Sequence, residues 1–482
     1  MTMTKPVQAD TPTPPPDDAQ VTTADLRRAA WASSIGSALE YYDFALYSLA
    51  SALIFGPLFF PGADPTTGLI LSFSTYFIGF LVRPIGGIVF GRLGDRLGRK
   101  FVLMATVAMM GAASTLIGLL PTYDGAEGDW YGAGGVGILA PVLLILLRVV
   151  QGLGAGAEMA GASILMTEYA PRRRRGFFAS LPFMGVQVGT VAAALIYFLL
   201  YSAGKDAITS TWHWRIPFLA SIVIIAVAVW LRLRLKESPT FRKLEARDQI
   251  AEHPLRELLS NSRPTLLRGI GLRLAENGSS SIYQALAVAY VTSAAVGVKG
   301  PIGALSLVFA ATLGAVMVPI AGRLTDRFGR VKVYRGFATF QLVAAFPVWW
   351  ALSRGSTVIT IVVISLALGI GTWGMFGSQS AFMTELFGSR HRYLGVSVAR
   401  EVSAVLSGGL APLLGAAIIA AVVAADGGSG TPGAGLGSWV WLAGYTALLC
   451  AITVATTFVT PDPTDRDLED PRDAVDALRQ PA

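Results

Sequence analysis

Glu40 and Asp43 stand three residues apart inside an apolar run near the start of this 482-residue chain, and that spacing puts both carboxyls on one face of a helix. Two acids so close do not both stay ionised cheaply where the dielectric is low, so one of them is suited to take up and release a proton. The alternative is a buried ion pair that fixes helix register. His213, His253 and His391 all lie outside the apolar runs, which leaves a carboxylate as the better proton carrier. Glu158, in the small-residue run Gly152–Gly161, is a third candidate. Arg83, beside Pro84, carries the planar fork of donors that clamps a carboxylate at two points; its alternative is to serve as partner to Glu40 or Asp43. Tyr283 and Gln284 offer a hydroxyl and an amide to a solute, or pack. Arg273 and Glu276, at i and i+3, read as an intrahelical ion pair, whereas the adjacent Arg400 and Glu401 point different ways and each call for a partner on another helix. No Ser/His/Asp set, phosphate loop or metal-ligand spacing accompanies these residues, and a single cysteine, Cys450, excludes an internal disulfide. The expectation is a protein without catalytic residues, cofactor or metal.

The segments that hold these charges are apolar. Hydrophobic residues make up 53% of the chain and charged ones 14%, against roughly a quarter charged in soluble domains. A charge within such a segment costs several kcal/mol unless it is paired or faces a wet cavity, so each is a functional candidate. Runs long enough to cross a bilayer, which needs about 20 residues, are read near 31–55, 69–90, 101–121, 138–168, 177–202, 215–235, 266–294, 303–321, 334–352, 358–386, 394–424 and 437–460. The expected fold class is an all-α integral membrane protein of about twelve transmembrane helices in two six-helix bundles. Residues 1–25 read as a disordered tail, 26–235 as the first bundle, 236–263 as a polar linker, 264–460 as the second bundle and 461–482 as a short acidic tail.

The two halves repeat. Gly91-Arg92-Leu93-Gly94-Asp95-Arg96-Leu97-Gly98-Arg99-Lys100 returns as Gly322-Arg323-Leu324-Thr325-Asp326-Arg327-Phe328-Gly329-Arg330, each after an apolar run. Two copies of one membrane unit are the organisation of a secondary transporter. The net charge of +7 does not indicate nucleic acid, because the basic residues sit in short loops rather than on one face of a domain. Those loops (Arg92 to Lys100, Arg172 to Arg175, Arg323 to Lys332) alternate with loops almost free of Lys and Arg, so the positive-inside rule puts both termini in the cytoplasm.

Gly91–Lys100 resembles the signature loop between the second and third helices of the major facilitator superfamily. Arg148-Val149-Val150-Gln151-Gly152 resembles its fourth-helix motif, and Glu168 with Arg175 and Glu385 with Arg392 repeat one acid-to-arginine spacing. Ala38-Leu39-Glu40-Tyr41-Tyr42-Asp43-Phe44, Phe60-Pro61-Gly62-Ala63-Asp64-Pro65, Phe80–Gly87, Trp214-Arg215-Ile216-Pro217-Phe218 and Glu237-Ser238-Pro239 are similar to the metabolite:proton symporter family within it. The resemblance implies import of a small organic solute with a proton, across the cell membrane, by a monomer. It also implies a coupling or binding part for Arg148 and Gln151, which could instead bond backbone at a helix crossing. Asp95 would act at the start of the eleventh helix and Asp326 at the start of the fifth, through the helix dipole and its unpaired N–H groups. Arg96, Arg99, Arg327, Arg330, Glu168, Arg175, Glu385, Arg392 and Glu237 would complete a partly hydrated latch, each pair worth about 1 kcal/mol or less.

Among solutes, a carboxylate metabolite leads, with a proline- or betaine-type osmolyte as the alternative. Drug antiport ranks lower, because Gly185-Val186-Gln187 has no proline after Gly185, where the drug antiporters of the resembled superfamily carry one.

Overall fold

The computed structural model describes residues 23–97, 99–125, 135–156, 159–202, 212–233, 258–260, 262–298, 301–389, 392–428, 433–470 and 472–477. Residues Glu158 and Glu237, and the side chains of Asp95, Arg96 and Arg99, lie outside the described residues, so the roles expected of them have no structural account.

Among the described residues there are no strands, and helices account for twelve rods. The first bundle holds α1 (Thr23–Leu53), α2 (Pro65–Leu81 continued by Arg83–Leu97) and α3 (Arg99–Gly118). It is completed by α4 (Leu139–Ala155, then Met159–Tyr169), α5 (Arg175–Ser202) and α6 (Ile216–Leu233). The second holds α7 (Arg263–Ser281, a π turn Ile282–Leu286, Ala287–Thr292), α8 (Ile302–Phe328) and α9 (Arg330–Leu352). There follow α10 (Thr357–Leu366, π turn Ala367–Thr372, Trp373–Leu386), α11 (Arg392–Ser403, π turn Ala404–Gly409, Leu410–Ala425) and α12 (Ser438–Val459). Six of them, α2, α5, α8, α10, α11 and α12, are long and apolar enough to cross a membrane by composition alone. Helices are the form this chain can take in lipid, since each backbone group then finds its partner within the segment. Large apolar side chains such as Phe309, Val343, Trp441 and Phe458 stay exposed around the outside, where a bilayer would cover them.

The rods pair both within and between the bundles. In the first bundle α1 packs on α5, and α3 packs on α6; in the second α9 packs on α12. Between bundles α5 lies along α8 and meets α10, α2 meets α11, and α1 meets the π turn of α7. Close approach depends on missing side chains. A Cβ on Gly86 would overlap the Leu153 carbonyl, and one on Gly156 the Arg83 carbonyl, so α2 and α4 cross backbone to backbone. Gly185 and Gly189 meet the Ser34 and Ala38 carbonyls in the same way where α1 crosses α5. The residue at which antiporters were compared is therefore a packing position here.

Two local readings need correction. The motif expected as a loop after the second span is largely helical, because α2 runs on to Leu97. An apolar pattern ends where hydrocarbon ends, whereas a helix with hydrated polar residues can continue past it. Arg83 consequently opens a 15-residue helical segment, well before the end of α2. In the second copy, a single residue, Gly329 at φ 94°, turns the chain from α8 into α9, a conformation that glycine adopts without steric penalty.

Candidate functional site

Asp43 faces the interior of the first bundle. Ser114 of α3 donates to Asp43 Oδ2 at 2.9 Å and Ser221 of α6 donates to Oδ1 at 2.8 Å. Gln151 of α4 donates to Ser114 Oγ at 2.6 Å, and Arg148 Nη1 donates to Gln151 Oε1. The i, i+3 spacing of Arg148 and Gln151 thus brings them into contact with each other rather than with backbone. The result is a chain of four side chains from a guanidinium to a carboxylate, all at least nine-tenths buried with Arg148 only 3% exposed. Every donor points towards Asp43, the polarity that suits its ionised, acceptor-only form.

Arg148 is held by more than Gln151. Its guanidinium lies 3.8 Å from the centre of the Tyr47 ring and 5.5 Å from that of Tyr76. Its Nε and Nη2 are buried without a hydrogen-bond partner. Arg83 stacks over Phe80 at 4.5 Å and Phe44 at 5.6 Å, and its Nε is also buried without a partner. Arg83, Arg148, Gln151, Glu40 and Asp43 line one small cleft, together with Phe44, Gly79, Met110, Gly152 and Ala155. Unpaired buried donors of this kind are costly unless something accepts from them, and two guanidinia opening onto one cleft suit an anion. Glu40 and Asp43 share the cleft as expected, but Asp43 has its own serine partners on α3 and α6.

On the facing bundle, Arg273 Nη2 lies 3.1 Å from Glu276 Oε2, the intrahelical pair expected. Arg400 and Glu401 were expected to diverge; instead Arg400 Nε lies 3.6 Å from Glu401 Oε1. Both side chains are buried where α11 faces α2, and mutual pairing limits the cost of two charges out of water. Glu401 also lies in the field of Arg83 across the bundle boundary. Tyr283 and Gln284 do not line the cleft. Tyr283 stacks on Trp349 at 6.4 Å inside the second bundle, and Gln284 donates to Ser280 at 2.6 Å. Both occupy the π turn of α7, in the second bundle, whereas the residues that line the cleft all belong to the first.

At the face bearing the basic loops, the two halves interlock. Asp326 at the end of α8 accepts from the Gly176 and Phe177 backbone N–H groups, at 2.7 and 2.9 Å, in the first turn of α5. Arg330 binds Asp326 at 2.7 Å and Glu385 through two bonds of 2.8 and 3.1 Å. The repeated acid–arginine spacing pairs crosswise: Glu168 of the first half meets Arg392 of the second at 3.1 Å, and Arg175 meets Glu385 at 3.7 Å. Partial hydration was expected throughout, yet the Arg330 and Glu385 side chains are fully buried. Arg327 does not join; it is exposed and lies against its neighbour Phe328.

Some residues were missed at the sequence level. Ser114 and Ser221 lie 71 and 178 positions from Asp43, and only their small polar character inside apolar runs hints at them. Arg215 is fully buried and donates to the Gly118 carbonyl at 3.1 Å and to that of Leu120, satisfying the end of α3. Asp64 caps α2, accepting from the Thr66 and Thr67 N–H groups. Hydrogen bonds from these two threonines hold its carboxyl down at about 2.

Residues 33–412 match the family described as Major Facilitator Superfamily. The chain is 34% identical over 450 residues to the shikimate transporter of Escherichia coli (strain K12), covering 93% of this chain and 97% of that one. It is 33% identical over 405 residues to the proline/betaine transporter of the same organism, covering 82% and 78%. The solved structure of the proton:xylose symporter XylE superposes with a TM-score of 0.68 at 15% identity, covering 95% and 100%. With its paired bundles, its crossed basic-face latch and a match over most of its length, the chain belongs to the major facilitator superfamily.

Proposed function

We propose that this protein is a proton-coupled symporter that brings a small carboxylate metabolite across the cell membrane by alternating access, with its basic face in the cytoplasm. The observation that carries the reading is the chain Asp43–Ser114–Gln151–Arg148, which ties a carboxylate to a guanidinium with two unpartnered donors on the same cleft. When Asp43 takes a proton on Oδ2, that oxygen becomes a donor and the Ser114 hydroxyl must turn to accept from it, while Ser221 goes on donating to Oδ1. The change reaches Gln151 and alters how firmly Arg148 is held. Arg148 and Arg83 bind the solute carboxylate in their forks. Release of the proton on the cytoplasmic side restores the original polarity and frees the solute. An inside-negative potential of about 100 mV supplies roughly 2.3 kcal/mol per charge moved, enough for modest accumulation. The similarity to a shikimate transporter supports a carboxylate.

A second reading is a proline- or betaine-type osmolyte. Glu401, set in the field of Arg83, puts an acid opposite the guanidinium, an arrangement that suits a zwitterion; the similarity to a proline/betaine transporter agrees. The test is uptake by proteoliposomes under an imposed pH gradient, with labelled hydroxy-acids, dicarboxylates, proline and betaine compared side by side. Gradient-driven accumulation of the acids supports the first reading, and of betaine or proline alone the second. Accumulation of neither class, in a preparation that binds solute, would sink proton symport.

A further inference from the structure

After α12 the chain does not leave the molecule. It runs across the basic face and is tied down at both ends of its course to the second bundle. Asp462 accepts from the backbone N–H of Arg330 at 3.2 Å, and Thr464 Oγ1 from the same N–H at 3.0 Å, so the tail caps the start of α9. Farther on, Asp473 accepts from the Gly388 N–H at 2.9 Å, and the Asp470 carbonyl from the Ser389 N–H at 2.9 Å. Ala474 and Val475 are buried, and Ala474 joins the apolar cluster of the second bundle.

Between these anchors the tail reaches the first bundle. The Asp465 carbonyl accepts from Arg172 Nε, and the Arg466 carbonyl accepts from Arg175 Nη1 at 2.6 Å. Asp465 has φ 60°, a left-handed conformation that Asp tolerates better than most residues, and it forms a turn that presents successive carbonyls to the two arginines. Arg172 and Arg175 stand at the start of α5, beside the Gly176 and Phe177 N–H groups held by Asp326. The tail therefore crosses the same boundary as the latch.

We propose that residues 461–470 and 472–477 form a strap, anchored on the second bundle, that grips Arg172 and Arg175 of the first and biases the protein towards the state closed on the basic face. Opening that face separates the start of α5 from α8 and α10, so the strap's bonds to Arg172 and Arg175 must break with the latch. Its anchors at Arg330 and Gly388 move with the second bundle and survive. The strap thus acts only on the closed side of the equilibrium, and its loss shifts population without touching the solute cleft. One partly hydrated, charge-assisted bond corresponds to a change of about five-fold in the ratio of states.

The experiment uses the full chain in proteoliposomes without solute. Spin labels near the ends of α5 and α10 at the basic face report the closed and open populations as distances. Three proteins are compared in a Cys450→Ser background: the parent, Arg172→Ala, and a chain ending at Thr460. The open fraction should rise about five-fold in Arg172→Ala and further in the shortened chain. A fourth protein, Arg172→Cys with Asp465→Cys, keeps its anchors even if the shortened chain folds poorly. Oxidation should hold its basic face closed and stop solute exchange, and reductant should restore both. An open fraction equal to the parent's in Arg172→Ala, together with unimpeded exchange in the oxidised double-cysteine protein, would overturn the strap and leave the tail as packing on the second bundle.

Discussion

At the scale of single residues the decisive position is Asp43, because its partners are neutral hydroxyls and its link to Arg148 passes through two further side chains. Asp43→Asn is expected to abolish pH-driven accumulation while solute exchange across the membrane persists, since the amide still fills the site but carries no exchangeable charge. Counterflow measured alongside gradient-driven uptake separates the two; full accumulation in Asp43→Asn would remove Asp43 from the proton path. Arg148→Lys tests the other end of the chain. Lysine keeps the charge but loses the fork and the planar stack on Tyr47, so the apparent substrate constant should rise roughly ten- to a hundred-fold, the worth of a charge-assisted bond of about 1.5–3 kcal/mol. Unchanged affinity would make Arg148 a structural residue. None of the sequence spacings joins Asp43 to Ser114, Ser221 or Gln151. Three further helices had to converge on α1 before Asp43 acquired its circuit.

The elements themselves depend on positions with no side chain. Valine at Gly86 should force α2 from α4 against the Leu153 carbonyl and lower stability by about 1–3 kcal/mol, the range for overpacking. Gly336 on α9 is the control, because nothing lies within 4 Å of the Cβ it lacks; Gly336→Ala should be neutral or slightly stabilising in a helix. Thermal unfolding in detergent reads both, and equal melting of Gly86→Val and the parent would show that the crossing relaxes. The start of α2 gives a pH prediction. The Asp64 carboxyl lies below its ordinary value in the folded chain, so its contribution is complete above roughly pH 4 and is lost as pH falls through about 2. Water screens this exposed carboxylate, so Asp64→Ala should cost no more than an ordinary cap, about 1 kcal/mol at neutral pH, with the difference from the parent vanishing in strong acid. A difference that persists at pH 2 would mean that packing, not the charged cap, is what alanine removes.

For the whole molecule, the crossed pairs make closure of the basic face a joint property of both halves. Asp326 holds the first turn of α5, and Glu385 gathers Arg330 from its own bundle and Arg175 from the other. Asp326→Asn retains a capping oxygen but loses the charge that favours a helix N-terminus, and a coupling change of about 1–2 kcal/mol alters the state ratio roughly five- to thirty-fold. Crosslinking between cysteines placed near the ends of α5 and α8, after Cys450 is replaced, should fall accordingly. Crosslinking equal to the parent's with transport lost would assign Asp326 to folding instead.

What the sequence by itself determined is what repeats locally: apolar runs long enough to span a bilayer, the duplicated basic motif, the i, i+3 pair of Arg273 and Glu276, and the superfamily. The first three follow from spacing along one helix or from charge at its ends, and the superfamily follows from the motifs that resemble it. The tertiary structure decided which charges meet. Glu168 and Arg175 share a spacing with Glu385 and Arg392, yet each acid pairs with the other half's arginine, and no pattern along the chain encodes that exchange. Arg400 and Glu401 pair because burial at the bundle boundary outweighs the divergence of adjacent helical positions. Tyr283 and Gln284 stay out of the cleft because they find partners within the second bundle, Trp349 and Ser280, and the tail became a strap only once both bundles stood beneath it. Ion pairing in a low dielectric rewards proximity in space, and in this fold that proximity is set by how two bundles close on one another.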